Sequence, residues 1–200
     1  MSIKFTEDNF EIKKGVGFIY AFYRYSHSSK KNLFERMVSI CTCSDCVHVG
    51  IVPVSDIKGD KFVVEDSVYT AFMGYGFDIQ RVSCILNDAY EYYFIPVSTD
   101  QFHIGFHFLE SLSGKGYNYL GLPMTLLPHS WKIKGKKTME THKDPKTVIC
   151  SQIGLFLLQK LDVGQEHFFN AAYCTPGELV EFVRSVPSAI YCSSDQFVLK

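Results

Sequence analysis

The segment Val148–Leu158 places a cysteine, Cys150, where an extended stretch turns into a hydrophobic run typical of a helix. A thiol in the first turn of a helix lies near free backbone N–H groups and near the positive end of the helix dipole. Both features favour the thiolate, which is the nucleophilic form of cysteine. Cys150 is therefore our first candidate for a catalytic nucleophile.

A thiol nucleophile needs a base, and His48 is the candidate. It lies in a predicted strand, Val47–Val52, on the face that it shares with Gly50, so its imidazole has room. A lone histidine in a strand is more often a hydrogen-bonded structural residue, and that alternative stays open. Our hypothesis is that Cys150 and His48 form a catalytic pair, which the other elements must bring close together.

An acid could orient the imidazole by accepting its second N–H. Glu65 ends the predicted strand Phe62–Glu65 and is our candidate for this role. Asp66 competes for the same role. The alternative is a solvent-facing carboxylate that leads into a turn.

Two groups of cysteine and histidine residues could be considered as metal ligands, but neither has the spacing of a common metal site. The first has the spacing C-x-C-x₂-C-x-H, which is tighter than the two separated ligand pairs of ordinary structural zinc sites; it consists of Cys41, Cys43, Cys46 and His48. The second is His103 and His107, where no glutamate follows the first histidine in the H-E-x-x-H manner. We therefore expect no metal and no cofactor.

The hydrophobic pattern predicts strands followed mainly by helices, which is typical of an α+β domain. The predicted strands are Gly15–Tyr25, Cys46–Val54, Phe62–Glu65, Asp78–Val82, Glu91–Val97 and Ala189–Val198. The predicted helices are Asn32–Ile40, Asp100–Leu112 with Asp100 as cap, Cys150–Leu161, and one that begins at Thr175-Pro176. We expect one domain over residues 1–200.

Composition limits the classes of function. The chain is 46% hydrophobic and 20% charged, with a net charge of −1, so no basic excess favours nucleic acid as a partner. Seven cysteines without an apolar leader indicate a reducing compartment. No apolar run approaches the ~18 residues of a transmembrane segment. We expect a cytoplasmic protein.

Several short motifs, in order from about residue 15 to 183, resemble the circularly permuted NlpC/P60 (papain-like) superfamily. They are an opening strand, a histidine strand, a following strand with a polar residue, a G-x-x-Y-[DN]-Y loop, a C-[ST]-[EQ] helix start and a T-P-x-[DE]-L segment. In this sequence they read Gly15–Ile19, His48–Val52, Val63–Glu65, Gly114–Tyr119, Cys150–Gln152 and Thr175–Leu179. The most similar branch is the YiiX-like group, which includes bacterial members and a poxvirus member.

The resemblance implies a permuted papain-like fold, with an antiparallel sheet packed against helices. It implies a thiol hydrolase with Cys150 as nucleophile, His48 as general base and Glu65 as orienting residue. Tyr117 would be a second donor to the oxyanion, the alternative being a loop aromatic packed on the helix. The substrate would be a peptide, an amide or a lipid ester. A different class of function remains: a non-catalytic interaction protein on the same fold, such as a viral host-modulating factor that acts in the host cytoplasm.

Overall fold

The aromatic and β-branched segments pair into one large sheet. The computed structural model describes residues 15–25, 33–119, 146–164 and 174–200, which together form a mixed α+β structure. The strands of these residues are β1 (Val16–Arg24), β2 (Cys46–Lys58), β3 (Lys61–Val64), β4 (Val68–Phe72), β5 (Gly76–Gln80), β6 (Tyr90–Val97), β7 (Gly116–Tyr117), β8 (Thr147–Val148), β9 (Ile190–Cys192) and β10 (Phe197–Leu199).

Strand order places the histidine strand near the centre. The main sheet has the order β10-β3-β2-β1-β6-β9, and its pairs are antiparallel except for β10 with β3. The β4–β5 hairpin joins β2 through a single pair, Ile51 with Tyr69. Strands β7 and β8 form a separate parallel pair.

Side-chain alternation buries both faces of the sheet. On β1, Phe18, Tyr20 and Phe22 enter one apolar cluster, while Ile19 and Ala21 enter the other. The first cluster is covered by helices and contains most of the aromatic volume. The helices of the described residues are α1 (Leu33–Thr42), α2 (Thr99–Ser111), α3 (Cys150–Lys160) and α4 (Pro176–Ser185).

Helix α3 lies directly on β1. The Tyr20 hydroxyl donates to the Gly154 carbonyl at 3.1 Å, inside the core. A Cβ at Gly154 would come within 2.6 Å of a Leu179 methyl group and 3.2 Å of the Tyr20 ring, so a larger residue would require these side chains to shift. The helix that carries Cys150 is therefore fixed by contacts with both the sheet and α4.

The local signals predicted α4 correctly and α2 with one error. Thr175 caps α4, and its hydroxyl accepts from the N–H of Glu178 at 3.0 Å. For α2 the predicted cap Asp100 is wrong, because Ser98 forms a capping box with Gln101 instead. The predicted end of the Cys46–Val54 strand is also wrong, because β2 runs to Lys58. Strand β2 continues past Pro53 to Lys58, with a bulge just after it, where strands tolerate proline.

A buried carboxylate fixes the beginning of β2. Glu91 is only 7% exposed and binds Arg24, Arg184 and the Tyr93 hydroxyl, with Arg184 Nη2 at 2.6 Å from Glu91 Oε1. Arg24 also binds Asp45 at 2.8 Å, one residue before β2. These charges lower the pKa of Glu91 against the burial that raises it. The network therefore holds the end of the sheet from which His48 projects.

Glu91→Gln should lower the free energy of unfolding by about 2–3 kcal/mol, because two arginines lose their shared buried counter-ion. Urea unfolding would measure the loss. The matched control is Glu181→Gln, which removes an exposed ion pair with the same Arg184 and should cost under about 0.5 kcal/mol. Equal costs for the two variants would contradict a structural role for the buried carboxylate.

Candidate active site

Cys150 is the first residue of α3, as predicted, and neighbouring polar groups fix that helix start. The side-chain Oε1 of Gln152 accepts from the N–H of Ile149 at 3.1 Å. The Ser151 hydroxyl donates to the Cys174 carbonyl at 2.6 Å, which ties α3 to the segment before α4. Both side chains are buried, so the position of the Cys150 backbone is well determined.

The Cys150 thiol is protonated at neutral pH. Burial raises its pKa to about 11, although backbone hydrogen bonds from Val49, Ser151 and Cys150 itself act to lower it. A hydrogen bond that lowers the pKa of a thiol must come from an N–H group that favours the thiolate. The expectation of a thiolate at the helix start is therefore not met, because desolvation exceeds the effect of the helix N-terminus.

The same contact places the Cys150 sulfur against the histidine strand. The N–H of Val49 belongs to the peptide group that joins it to His48, so the sulfur lies one peptide from that residue. Between these two described residues there is no direct hydrogen bond from thiol to imidazole. The structure therefore brings Cys150 against the strand that carries His48. Cys150 packs in the apolar cluster of Val49 and Ile51, whereas His48 alternates to the other face of β2.

Thr70 determines which nitrogen of His48 carries the proton. Thr70 Oγ1 lies 2.9 Å from His48 Nε2 and donates to the Val49 carbonyl at 2.7 Å. A hydroxyl has one proton, and since this one goes to the carbonyl, the oxygen must accept from Nε2–H. Nδ1 therefore keeps its lone pair and is the basic nitrogen of His48.

The imidazole packs against Phe72 and Thr70 and stays partly exposed. The Phe72 ring stacks on it with a centroid distance of 4.5 Å, and Thr70 is almost fully buried. Burial lowers the pKa of His48 to about 4, so the ring is neutral at pH 7. A neutral imidazole with a fixed tautomer is suited to accept a proton.

The structure does not place Glu65 beside His48. The Glu65 N–H donates to the Pro53 carbonyl at 3.4 Å, and its carboxylate binds Lys200 at 2.9 Å. Pro53 is five residues along β2 from His48, a separation of roughly 16 Å at the usual strand rise. The predicted contact between Glu65 and His48 is therefore wrong. Asp66 is engaged elsewhere, since it accepts from the N–H of Val82 at 3.1 Å.

Sequence reasoning missed Thr70 because it missed β4. The segment Val68–Phe72 is uncharged, rich in β-formers and followed by a glycine turn, which is a strand signal. If residues are paired outward from the turn between Lys58 and Lys61, positions 70–72 come opposite His48. This count would have favoured Thr70 over Glu65.

Tyr117 lies near the start of α3, a position compatible with both an oxyanion donor and an aromatic packed on the helix. Strand β7 pairs with β8, which places Tyr117 opposite Val148, two residues before Cys150. The pKa of the Tyr117 phenol is raised by burial and further by the Cys150 sulfur. Its ring also contacts Tyr119 edge-on at 5.1 Å. A protonated phenol near the sulfur is available as a hydrogen-bond donor.

The described residues contain no group of three metal-ligating side chains. Cys43 is exposed and Cys46 is buried, although they are close in sequence, and the side chain of Cys41 lies outside the described part. His107 lies within 3.6 Å of Glu110 on the exposed face of α2.

No helix in the described ranges is long and apolar enough to cross a membrane. No family model, curated protein or solved structure matches this chain.

Proposed function

We propose that this chain is a cysteine-dependent hydrolase on a circularly permuted, papain-like NlpC/P60 fold. The observation that carries the proposal is the chain of hydrogen bonds from His48 Nε2–H through Thr70 Oγ1 to the Val49 carbonyl, in a strand against which the helix start with Cys150 packs. Cys150 is the nucleophile, His48 the base, and Thr70 takes the orienting role expected of Glu65. The free cysteines of the described residues suit a cytoplasmic location.

The reaction starts from a neutral pair. As the Cys150 sulfur attacks an amide or ester carbonyl carbon, its proton moves to Nδ1 of His48. The oxyanion accepts hydrogen bonds from N–H groups at the start of α3 and from Tyr117. The leaving group departs with the proton from His48, which leaves a thioester on Cys150. Water, deprotonated by His48, then releases the carboxylic acid and restores the thiol.

The missing hydrogen bond between Cys150 and His48 is compatible with this mechanism. Catalytic hydrogen bonds are often long in a free enzyme and become shorter only when substrate binds. Backbone N–H groups of Cys150 and Ser151 act on the sulfur, which supports the proposal that the helix start supplies hydrogen-bond donors near the reacting centre.

Acylation by p-nitrophenyl acetate tests the proposal. After rapid mixing, acid quench and digestion, mass spectrometry should find acetyl on Cys150 in the wild-type protein. His48→Ala should slow that acylation by about 10²-fold, because no base then accepts the thiol proton. The exposed Cys43 and Cys84 serve as internal controls, since their acylation should not depend on His48.

The pH dependence separates base catalysis from simple thiolate reactivity. In His48→Ala the rate at Cys150 should rise about tenfold per pH unit from pH 7 to 10, because the thiolate fraction rises towards a pKa of about 11. In the wild-type protein the rate should be nearly constant above the His48 pKa of about 4. Identical pH profiles would refute His48 as the base.

One observation favours the second candidate, a non-catalytic interaction protein. Both members of the pair are neutral, and no hydrogen bond joins them in the resting structure. Absence of acetyl on Cys150 in folded wild-type protein would support this function over hydrolysis.

A further inference from the structure

Helix α1 turns its apolar side chains outward. Leu33, Met37 and Ile40 are 82%, 44% and 65% exposed, at the i, i+4, i+7 spacing that places them on one face of a helix. A surface helix of a globular protein ordinarily buries such a face in the core. Of the α1 side chains that the structure describes, only Val38 is a buried hydrophobic residue. The amphipathic pattern of α1 is therefore reversed relative to the core.

The two charged residues of α1 lie on opposite sides of the helix. Arg36 is exposed and follows Leu33 by three residues, which places it on the outward face. Glu35 points to the sheet: one of its carboxylate oxygens is buried, and burial raises the pKa of the Tyr90 phenol on β6, a rise to which the Glu35 charge adds. The outward face of α1 is defined here as Leu33, Arg36, Met37 and Ile40. It combines apolar side chains with a cation and carries no acidic residue.

Contacts at the end of α1 fix this orientation. The Thr42 hydroxyl donates to the Val38 carbonyl at 2.8 Å, and the Ser44 N–H donates to the Ser39 carbonyl at 3.2 Å. A Cβ at Gly177 would come within 2.5 Å of the Ser44 side chain, so the residues after α1 pack directly on the start of α4. The helix cannot turn its apolar face inward without breaking these contacts.

The charge around α1 is opposite in sign to that of the whole chain. Residues 30–43 contain three basic residues and one acidic residue, a net charge of +2, whereas the complete sequence has a net charge of −1. A second copy of the chain would place two cationic faces against each other, which costs free energy. A cationic helix with an outward apolar face is typical of helices that lie in the interface of an anionic membrane.

We propose that the outward face of α1 binds the surface of an anionic phospholipid bilayer. Leu33, Met37 and Ile40 enter the interfacial layer, and Arg36 pairs with the anionic headgroups. The helix lies in the plane of the membrane, because its ten residues are too few to cross it. The inference goes beyond the proposed function, since it concerns where the protein acts and does not depend on the chemistry at Cys150.

Co-sedimentation with vesicles tests the inference. The wild-type protein should bind vesicles of phosphatidylcholine that contain about 30% phosphatidylserine, and binding should weaken several-fold when the salt concentration rises from about 0.05 to 0.5 M. Arg36→Gln should lower the partition coefficient about fivefold on these vesicles and leave it unchanged on pure phosphatidylcholine. Leu33→Ser with Ile40→Ser should lower it at least about tenfold on both kinds of vesicle, because less apolar surface leaves water.

The matched control is Ile79→Ser with Ile104→Ser, which removes two other exposed apolar side chains, from β5 and α2, and should leave binding unchanged. Undiminished binding by the Leu33 and Ile40 double variant, or wild-type protein that stays in the supernatant with phosphatidylserine vesicles, would overturn the inference. A dimer in sedimentation velocity that this double variant dissociates would also overturn it, since a second copy would then cover the face. Hydrolysis of p-nitrophenyl acetate without vesicles tests the proposed function separately.

Discussion

Cys150→Ala is expected to lower kcat/KM for p-nitrophenyl acetate by at least about 10³-fold, because alanine has no sulfur to form the thioester. The fold should persist, since the contacts that fix the start of α3 come from Ser151 and Gln152. Steady-state hydrolysis with circular dichroism on the same samples would measure both quantities.

The control for this variant is Cys192→Ala. Cys192 is also buried, but it lies in the other apolar cluster, against Tyr92 and Phe94 on β6. The kcat/KM of Cys192→Ala should stay within about twofold of the wild-type value. Hydrolysis that survives in folded Cys150→Ala would eliminate Cys150 as the nucleophile.

Thr70→Val should lower kcat by roughly 10- to 100-fold with little change in KM. Valine keeps the shape of threonine but cannot accept from His48 Nε2–H, so the imidazole loses the group that fixes its tautomer. Thr70→Ser keeps the hydroxyl and should restore most of kcat. Thr99→Val, the same substitution at an exposed position, should have no effect on either constant.

A spectroscopic measurement separates orientation from general destabilisation. Nitrogen-15 spectra of the histidine rings should show His48 as the Nε2–H tautomer in wild type and in Thr70→Ser. In Thr70→Val that preference should weaken. A variant that keeps both the tautomer and kcat would show that the Thr70 hydroxyl does not orient the base.

The parts of the site that were predicted from sequence depend on local chemistry. Cys150 begins a helix because an extended approach meets an apolar run, and Thr175-Pro176 begins another because cap and proline are adjacent. Such signals need only a few neighbouring residues. The strands and helices of an α+β structure followed from the same kind of pattern.

The orienting residue was beyond local reasoning because sheet register decides it. Strand β3 has four residues, so Glu65 comes level with Pro53 and cannot reach the beginning of β2. Strand β4 then brings Thr70 to His48, although twenty-two positions separate the two residues. The protonation state of Cys150 could not be predicted from local sequence either. The helix start favours the thiolate, but burial raises the pKa of the thiol, and the burial depends on how the whole core packs.

The protonated resting state of Cys150 has a chemical consequence inside a cell. Peroxides and adventitious electrophiles react with thiolates far faster than with thiols. With a pKa of about 11, Cys150 offers them very little thiolate at neutral pH, whereas Cys43 and Cys84 lie at the surface. Damage should therefore fall first on Cys43 and Cys84, which have no role in the proposed reaction. Under that proposal, Cys150 keeps its proton until a substrate binds.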